Sequence, residues 1–187
     1  MSEHVRVSEV QSEVRVPIQG KGDEQSPSPS TGTQRLDIGF TGTQDGMSGL
    51  QRAFAGGLLA AIAHKHSEYE LWAHHGDCIG ADEQFGILAS NTGFKIHLHP
   101  PKIDLKRAFS DFNEIEQPRF YRHRNQDIVD AASLLIATPA QVESSSLSKR
   151  SGTWMTVRMA RRVEKPYVII QSNGYIEGGN GWEKFLK

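Results

Sequence analysis

The sequence predicts an α/β fold: a five-stranded parallel sheet between two helical layers, a three-layer sandwich with strand order 3-2-1-4-5. Three observations carry this. Short apolar runs alternate with segments of helical periodicity along most of the chain. Most of those runs end on a loop rich in Gly, Ser, Thr or Asp, or at a Pro break. The stretch Ser151-Gly152-Thr153-Trp154-Met155-Thr156-Val157-Arg158 joins such a turn directly to a helix, with Trp154, Val157 and Ala160 at helical spacing.

Residues 1–34 are poor in apolar side chains around Gln25-Ser26-Pro27-Ser28-Pro29-Ser30, and read as a flexible extension without chemistry. Val5-Arg6-Val7 and Val14-Arg15-Val16 within it alternate like short strands. Residues 35–187 read as the domain. Its first strand is Leu36-Asp37-Ile38-Gly39-Phe40, leaving through the glycine-punctuated loop Thr41 to Met47. Ser48 with Gln51 forms a capping-box pattern, and Leu50, Phe54, Leu58 and Ile62 recur every four residues, giving a helix to about His66. Glu70 to His75 is the second strand, followed by Gly76-Asp77-Cys78-Ile79-Gly80-Ala81-Asp82 and a helix with Phe85, Leu88 and Ala89 inward. Lys95 to His99 is the third, stopped by Pro100-Pro101. Residues 102–118 are irregular and charged. Tyr121 to Ala132 is a helix with Ile128, Val129 and Ala132 inward, feeding the fourth strand, Leu134 to Thr138. A serine-rich loop, Gln141 to Arg150, precedes the helix at Ser151, and Pro166 to Ile170 is the fifth strand. The tail from Ser172, with Trp182 and Phe185, is expected to pack loosely on the sheet edge.

Composition narrows the function. A net charge of −1 over 187 residues argues against a dedicated nucleic-acid binder. The basic residues Lys102, Lys106, Arg107, Arg119, Arg122 and Arg124 are interleaved with Asp111, Glu114 and Glu116, which points the same way. A single cysteine, Cys78, excludes an internal disulfide framework and fits a reducing cytoplasm; it reads as a packing residue. No apolar run approaches the roughly 18 residues of a membrane span, and no apolar signal core is present, so a cytoplasmic location is expected.

In a doubly wound sheet the ligand lies beyond the carboxyl ends of the strands, where the order reverses. Here that falls between the first and fourth strands, and it gathers Thr41-Gly42-Thr43, Gly76-Asp77 and Ser151-Gly152-Thr153 around one crevice. Free N–H groups at the start of the last helix suit a phosphate; equally, Ser151 or Thr153 is an ordinary N-cap. Arg124 either clamps a phosphate or joins a solvated cluster with Arg119 and Arg122. Asp77 either accepts from a ribose or caps its turn, Asp82 is an N-cap or a ligand, and Trp154 stacks on a base or fills the core. His97 and His99 face one side of their strand, whereas His74 and His75 face opposite sides. No convergence of three or four ligands is visible from spacing, so no metal is expected.

Gly42-Thr43, the Gly76–Asp82 loop, Arg124-Asn125 with Asp130, and Ser151-Gly152-Thr153-Trp154 with Thr156, Val157, Arg158 and Ala160 together resemble the SLOG superfamily. This is the Rossmann-like group that includes the LOG phosphoribohydrolases and the DprA proteins, and the resemblance spans about Leu36 to Gln171. It implies a Rossmann-like nucleotide-binding domain, a homodimer or higher homo-oligomer, with phosphate at the Ser151–Thr153 turn. LOG enzymes cleave the N-glycosidic bond of nucleoside monophosphates using an arginine and a glutamate. Arg124 falls on that arginine; Thr156 stands at the glutamate and Ser151 replaces a glycine. Threonine cannot stabilise an oxocarbenium-like centre or act as a base near neutral pH. The resemblance therefore implies a sensor or sequestering protein for a nucleotide or NAD-derived nucleotide, with no cofactor. Its contacts would be Gly42, Thr43, Gly76, Asp77, Arg124, Asn125, Ser151, Gly152, Thr153 and Thr156. The alternative is a nucleoside-monophosphate N-glycosidase working through Arg124 and Asp77.

Overall fold

A computed structural model describes residues 34–187. The expectations for residues 1–33, including the two strand-like alternations, lie outside the described residues. The elements are β1 (Arg35–Gly42), α1 (Gly49–Lys65), β2 (Glu70–His75), α2 (Ala81–Asn91), β3 (Lys95–Leu98), β4 (Glu114–Ile115), α3 (Tyr121–Ala131), β5 (Leu134–Thr138), α4 (Gly152–Arg162), β6 (Tyr167–Ile170) and β7 (Ile176–Gly179). They form one sheet of seven strands in the order β4-β3-β2-β1-β5-β6-β7. All neighbours are parallel except β6 and β7.

The expected five-strand, wholly parallel sheet needs correction. The five expected strands are the central ones, and a further strand lies on each edge. β4 is only two residues long, too short to show a period, and sits in the charged stretch after Pro100-Pro101. β7 is hidden by its glycines. A Cβ at Gly178 would fall 2.0 Å from Nε1 of Trp182, and one at Gly179 would fall 2.7 Å from the Tyr167 ring. These absent side chains let the aromatic rings close onto the edge, and Phe185 is buried in the core. The tail is packed, not loose.

α1 carries the capping box at Ser48 and Gln51. Its repeating large residues are not its buried stripe. Leu50 and Phe54 are 50% and 43% exposed, while Gln51, Ala55, Leu59 and Ile62 face the sheet. Leu50 and Phe54 instead flank the turn at Gly174. Gln51 repays its burial with hydrogen bonds: Nε2 donates to the carbonyls of Pro139 and Ile170, both at 2.9 Å, and Oε1 accepts from Ser48 N. On this face Phe40 stacks on Phe85 with centroids 4.1 Å apart. The other face packs Ile128, Val129, Leu135, Met159 and Ala160, and beside them Ala137, Trp154, Val157 and Ile169. Trp154 is therefore a core residue, its Nε1 donating to the carbonyl of Gln141 at 2.8 Å.

β1 runs two residues past the expected end and brings Gly42 beside Thr138 of β5. A Cβ there would lie 2.4 Å from Cβ of Ala81 and 2.7 Å from Oγ1 of Thr138. Gly42→Ala should cost about 1–3 kcal/mol, the usual range for overpacking. Urea unfolding checks this; an unchanged midpoint would show that the strand ends can spread at no cost.

Candidate functional site

A cleft of about 530 Å³ opens at the carboxyl ends of β1 and β5, between the start of α2, the first turns of α3 and α4, and the loop after β5. Of the residues singled out by sequence it is lined by Gly42, Thr43, Arg124, Asn125, Ser151, Gly152 and Thr153. Ser151 is the N-cap of α4, its Oγ accepting from Trp154 N at 3.3 Å. The cap and the lining roles coexist, because the Gly152 and Thr153 N–H groups in the first turn have no intrahelical acceptor. Around Gly152 the space is open: an added Cβ would meet nothing within 4 Å.

Arg124 is buried rather than part of a solvated cluster. Arg119, by contrast, is exposed and paired with Asp127. The Arg124 guanidinium lies directly on Gly76, where a Cβ would fall 1.0 Å from Nη1. Nη1 is 3.5 Å from Oδ2 of Asp82, Nη2 donates to Sγ of Cys78 at 3.3 Å, and buried Nε has no partner. A guanidinium has five N–H donors, so this one keeps donors in reserve. Asp82 is not an N-cap. Gly80 holds that position, and the Asp82 carboxylate accepts from Cys78 N and faces Arg124. Burial pushes the Asp82 carboxyl above the ordinary value, against the pull of Arg124. Burial, then the Asp82 charge, raises the Cys78 thiol to about 11, which keeps it protonated and inert.

Three of the expected contacts lie outside the lining. Gly76 serves the cleft indirectly, by making room for Arg124. Thr156 is fully buried and its Oγ1 donates to the carbonyl of Gly152 at 2.9 Å, a bond closed within the helix. Asp77 is fully buried with a left-handed φ of 52°. Its Oδ2 accepts from Nε of Arg107 at 2.8 Å and its Oδ1 from Ser110 N at 3.0 Å. Those bonds fasten the loop after β3, whose backbone also joins the Asp77 carbonyl through Ala108 N and Ile79 N through Lys106. The sequence shows Asp77 at a strand end but not the arginine thirty residues on that claims it.

The cleft also holds residues that spacing did not single out. Tyr121 is one turn before Arg124 on α3, and its Oη is buried without a partner. Lys106 and Arg150 bring two more cations. Arg150, adjacent to the cap, makes no ion pair among the described residues. The signal for it was its place directly before Ser151; Lys106 and Tyr121 depend on tertiary folding.

No family model and no curated protein sequence matches the chain. Solved structures do. The molybdenum cofactor binding protein from the phototrophic bacterium Rippkaea orientalis superposes with a TM-score of 0.55 at 18% identity, over 75% of this chain and 78% of that one. DNA processing protein A (DprA) from Streptococcus pneumoniae superposes with a TM-score of 0.52 at 17% identity, over 72% of this chain and 50% of that one. The chain shares the Rossmann-like α/β fold of these two proteins. This chain spans half of the pneumococcal protein, and at these identities the likeness establishes the fold alone. Among the described residues no helix is long and apolar enough to cross a membrane.

The register of the sheet brings three imidazoles together: His74, His97 and His99 each offer a ligand atom within 4.8 Å of the others. The pairing of His74 with His97 across β2 and β3 achieves what sequence spacing does not display.

Proposed function

We propose that the cleft binds a nucleotide or NAD-derived nucleotide, and that the chain acts as a sensor or sequestering protein for it. The observation that carries this reading is the meeting of the open α4 N-terminus with the buried, under-partnered Arg124 in one cleft. The phosphate would rest on the Gly152 and Thr153 N–H groups with Arg124 and Arg150 alongside. Asn125 and the orphaned Tyr121 Oη would take polar edges of the sugar or base. Binding is favoured over the glycosidase alternative because Asp77, its substitute carboxylate, is buried, engaged by Arg107 and away from the cleft. A small molecule is favoured over DNA by the net charge of −1.

The full chain, incubated with a panel of mono- and dinucleotides and ultrafiltered, should retain one intact nucleotide by mass spectrometry. Free base or ribose phosphate in the filtrate would establish the glycosidase instead, and a filtrate with nothing retained and nothing cleaved would overturn both.

A further inference from the structure

On the α3 side of β2 and β3 the sheet carries imidazoles where apolar side chains would be expected. We propose that His74, His97 and His99 form a three-histidine site for a zinc-class divalent cation, separate from the nucleotide cleft. The groove beside them, lined by His97, His99, Glu116, Asp127 and Asp130, shares no residue with that cleft. The proposal does not rest on the nucleotide reading.

The geometry is that of ligands with an outer carboxylate. Nε2–H of His74 donates to Oδ1 of Asp37 at 2.8 Å, which leaves the free lone pair on Nδ1. Nδ1 of His74 lies 3.0 Å from Nε2 of His99. Two nitrogens on a tetrahedral zinc, each at 2.0–2.1 Å, are separated by about 3.3 Å, so these two already stand near ligand spacing. His97 stacks on His99 with ring centroids 4.8 Å apart and planes 16° apart, and tilts over His74 at 4.7 Å. Its ligand atom lies within 4.8 Å of those of His74 and His99.

The His74–His99 contact can hold only one proton, and Nδ1 of His99 is buried with no partner. His99 is 4% exposed, so water is largely kept from it.

The surrounding charge is mixed but favourable. Glu114 and Glu116 reach the two nitrogens of His97 at 3.1 and 3.2 Å. Glu116 is therefore placed to supply a fourth ligand, or to orient a bound water in its stead. Of the nearby cations, Arg35 is held by Asp37, stacked on Trp72 and 3.4 Å from Nε2 of His74, the nitrogen turned to Asp37, and Arg119 is held by Asp127. Arg124 is turned to Asp82. Imidazole donors select zinc and its neighbours over magnesium or calcium, which take oxygen.

Titration of the chelator-stripped full chain with Zn²⁺ alone should show one ion bound per chain by calorimetry. Co²⁺ should give the visible bands of a tetrahedral site. His97→Ala, at the groove rim, should weaken binding by more than about 100-fold, and Asp37→Asn by about 10- to 100-fold, the usual loss for an outer-shell partner. His99→Ala should behave like His97→Ala where circular dichroism shows it folded; where it does not fold, His97→Ala decides. Gly152→Asp should leave zinc affinity unchanged. Absence of saturable binding overturns the proposal, as does zinc binding undiminished in His97→Ala.

Discussion

Gly152→Asp should abolish nucleotide binding while leaving the fold intact. The position is the first residue of α4, and a Cβ there meets no atom within 4 Å, so the carboxylate extends into the cleft without displacing anything. Its negative charge would stand where a phosphate is expected to rest. Like-charge juxtaposition costs several kcal/mol, which at 1.4 kcal/mol per decade is a loss of more than about 100-fold in affinity. The same carboxylate at a helix N-terminus favours the helix by about 0.3–1 kcal/mol, so the melting temperature should hold or rise. Calorimetry against the retained nucleotide, paired with thermal unfolding, reads both quantities. Undiminished affinity would remove the phosphate from this turn.

Arg124→Met should destabilise the chain by about 3–5 kcal/mol, the range for removing one partner of a buried ion pair. Asp82 would be left charged and unpaired between Cys78 and Gly76, with its side chain only 6% exposed. The pH dependence gives the mechanism a signature. The folded pKa of Asp82 already lies above the ordinary 3.8. A raised carboxyl gives stability that is fully present below the unfolded pKa and lost as pH rises through the folded one. Removing Arg124 raises that folded value further, so the loss in Arg124→Met should be largest at neutral pH and shrink as the medium is acidified. Asp82→Asn in the same chain should recover much of it. Urea unfolding of the single and double variants across pH tests this. A cost independent of pH and not rescued by Asp82→Asn would show that Arg124 acts through packing alone. Gly76→Ala should produce the same phenotype by another route, because its Cβ takes the place of Nη1.

Much of the fold was legible because it is local. Alternating apolar runs and helical repeats place the five central strands, and the helices α1 and α3, within a residue or two, and locate α2 and α4. The Ser48–Gln51 box and the Ser151 cap are sequence patterns of three residues' reach. Seven of the ten expected contact residues line one cleft, since chain order and the crossover rule bring the ends of β1 and β5 beside α4. α1 shows the limit of periodicity. Its Leu50–Phe54 repeat marks a helix, yet the adjacent stripe from Gln51 is buried, because the carbonyls of Pro139 and Ile170 need an amide donor, while Leu50 and Phe54 stay exposed beside the turn at Gly174.

What the sequence by itself determined is therefore the set of central elements, the doubly wound order of its central strands, and the capped Ser151-Gly152-Thr153 turn before α4. The tertiary structure alone decided which polar side chains meet. Arg107 claims Asp77 from thirty residues away, Gly76 leaves a hole that Arg124 fills, and the register Gly39–His74–His97 across three strands stacks the imidazoles under α3. Local periodicity encodes which face of an element is buried. It does not encode the register between elements, and charge pairing and metal ligation depend on distances of a few ångströms that only the register sets.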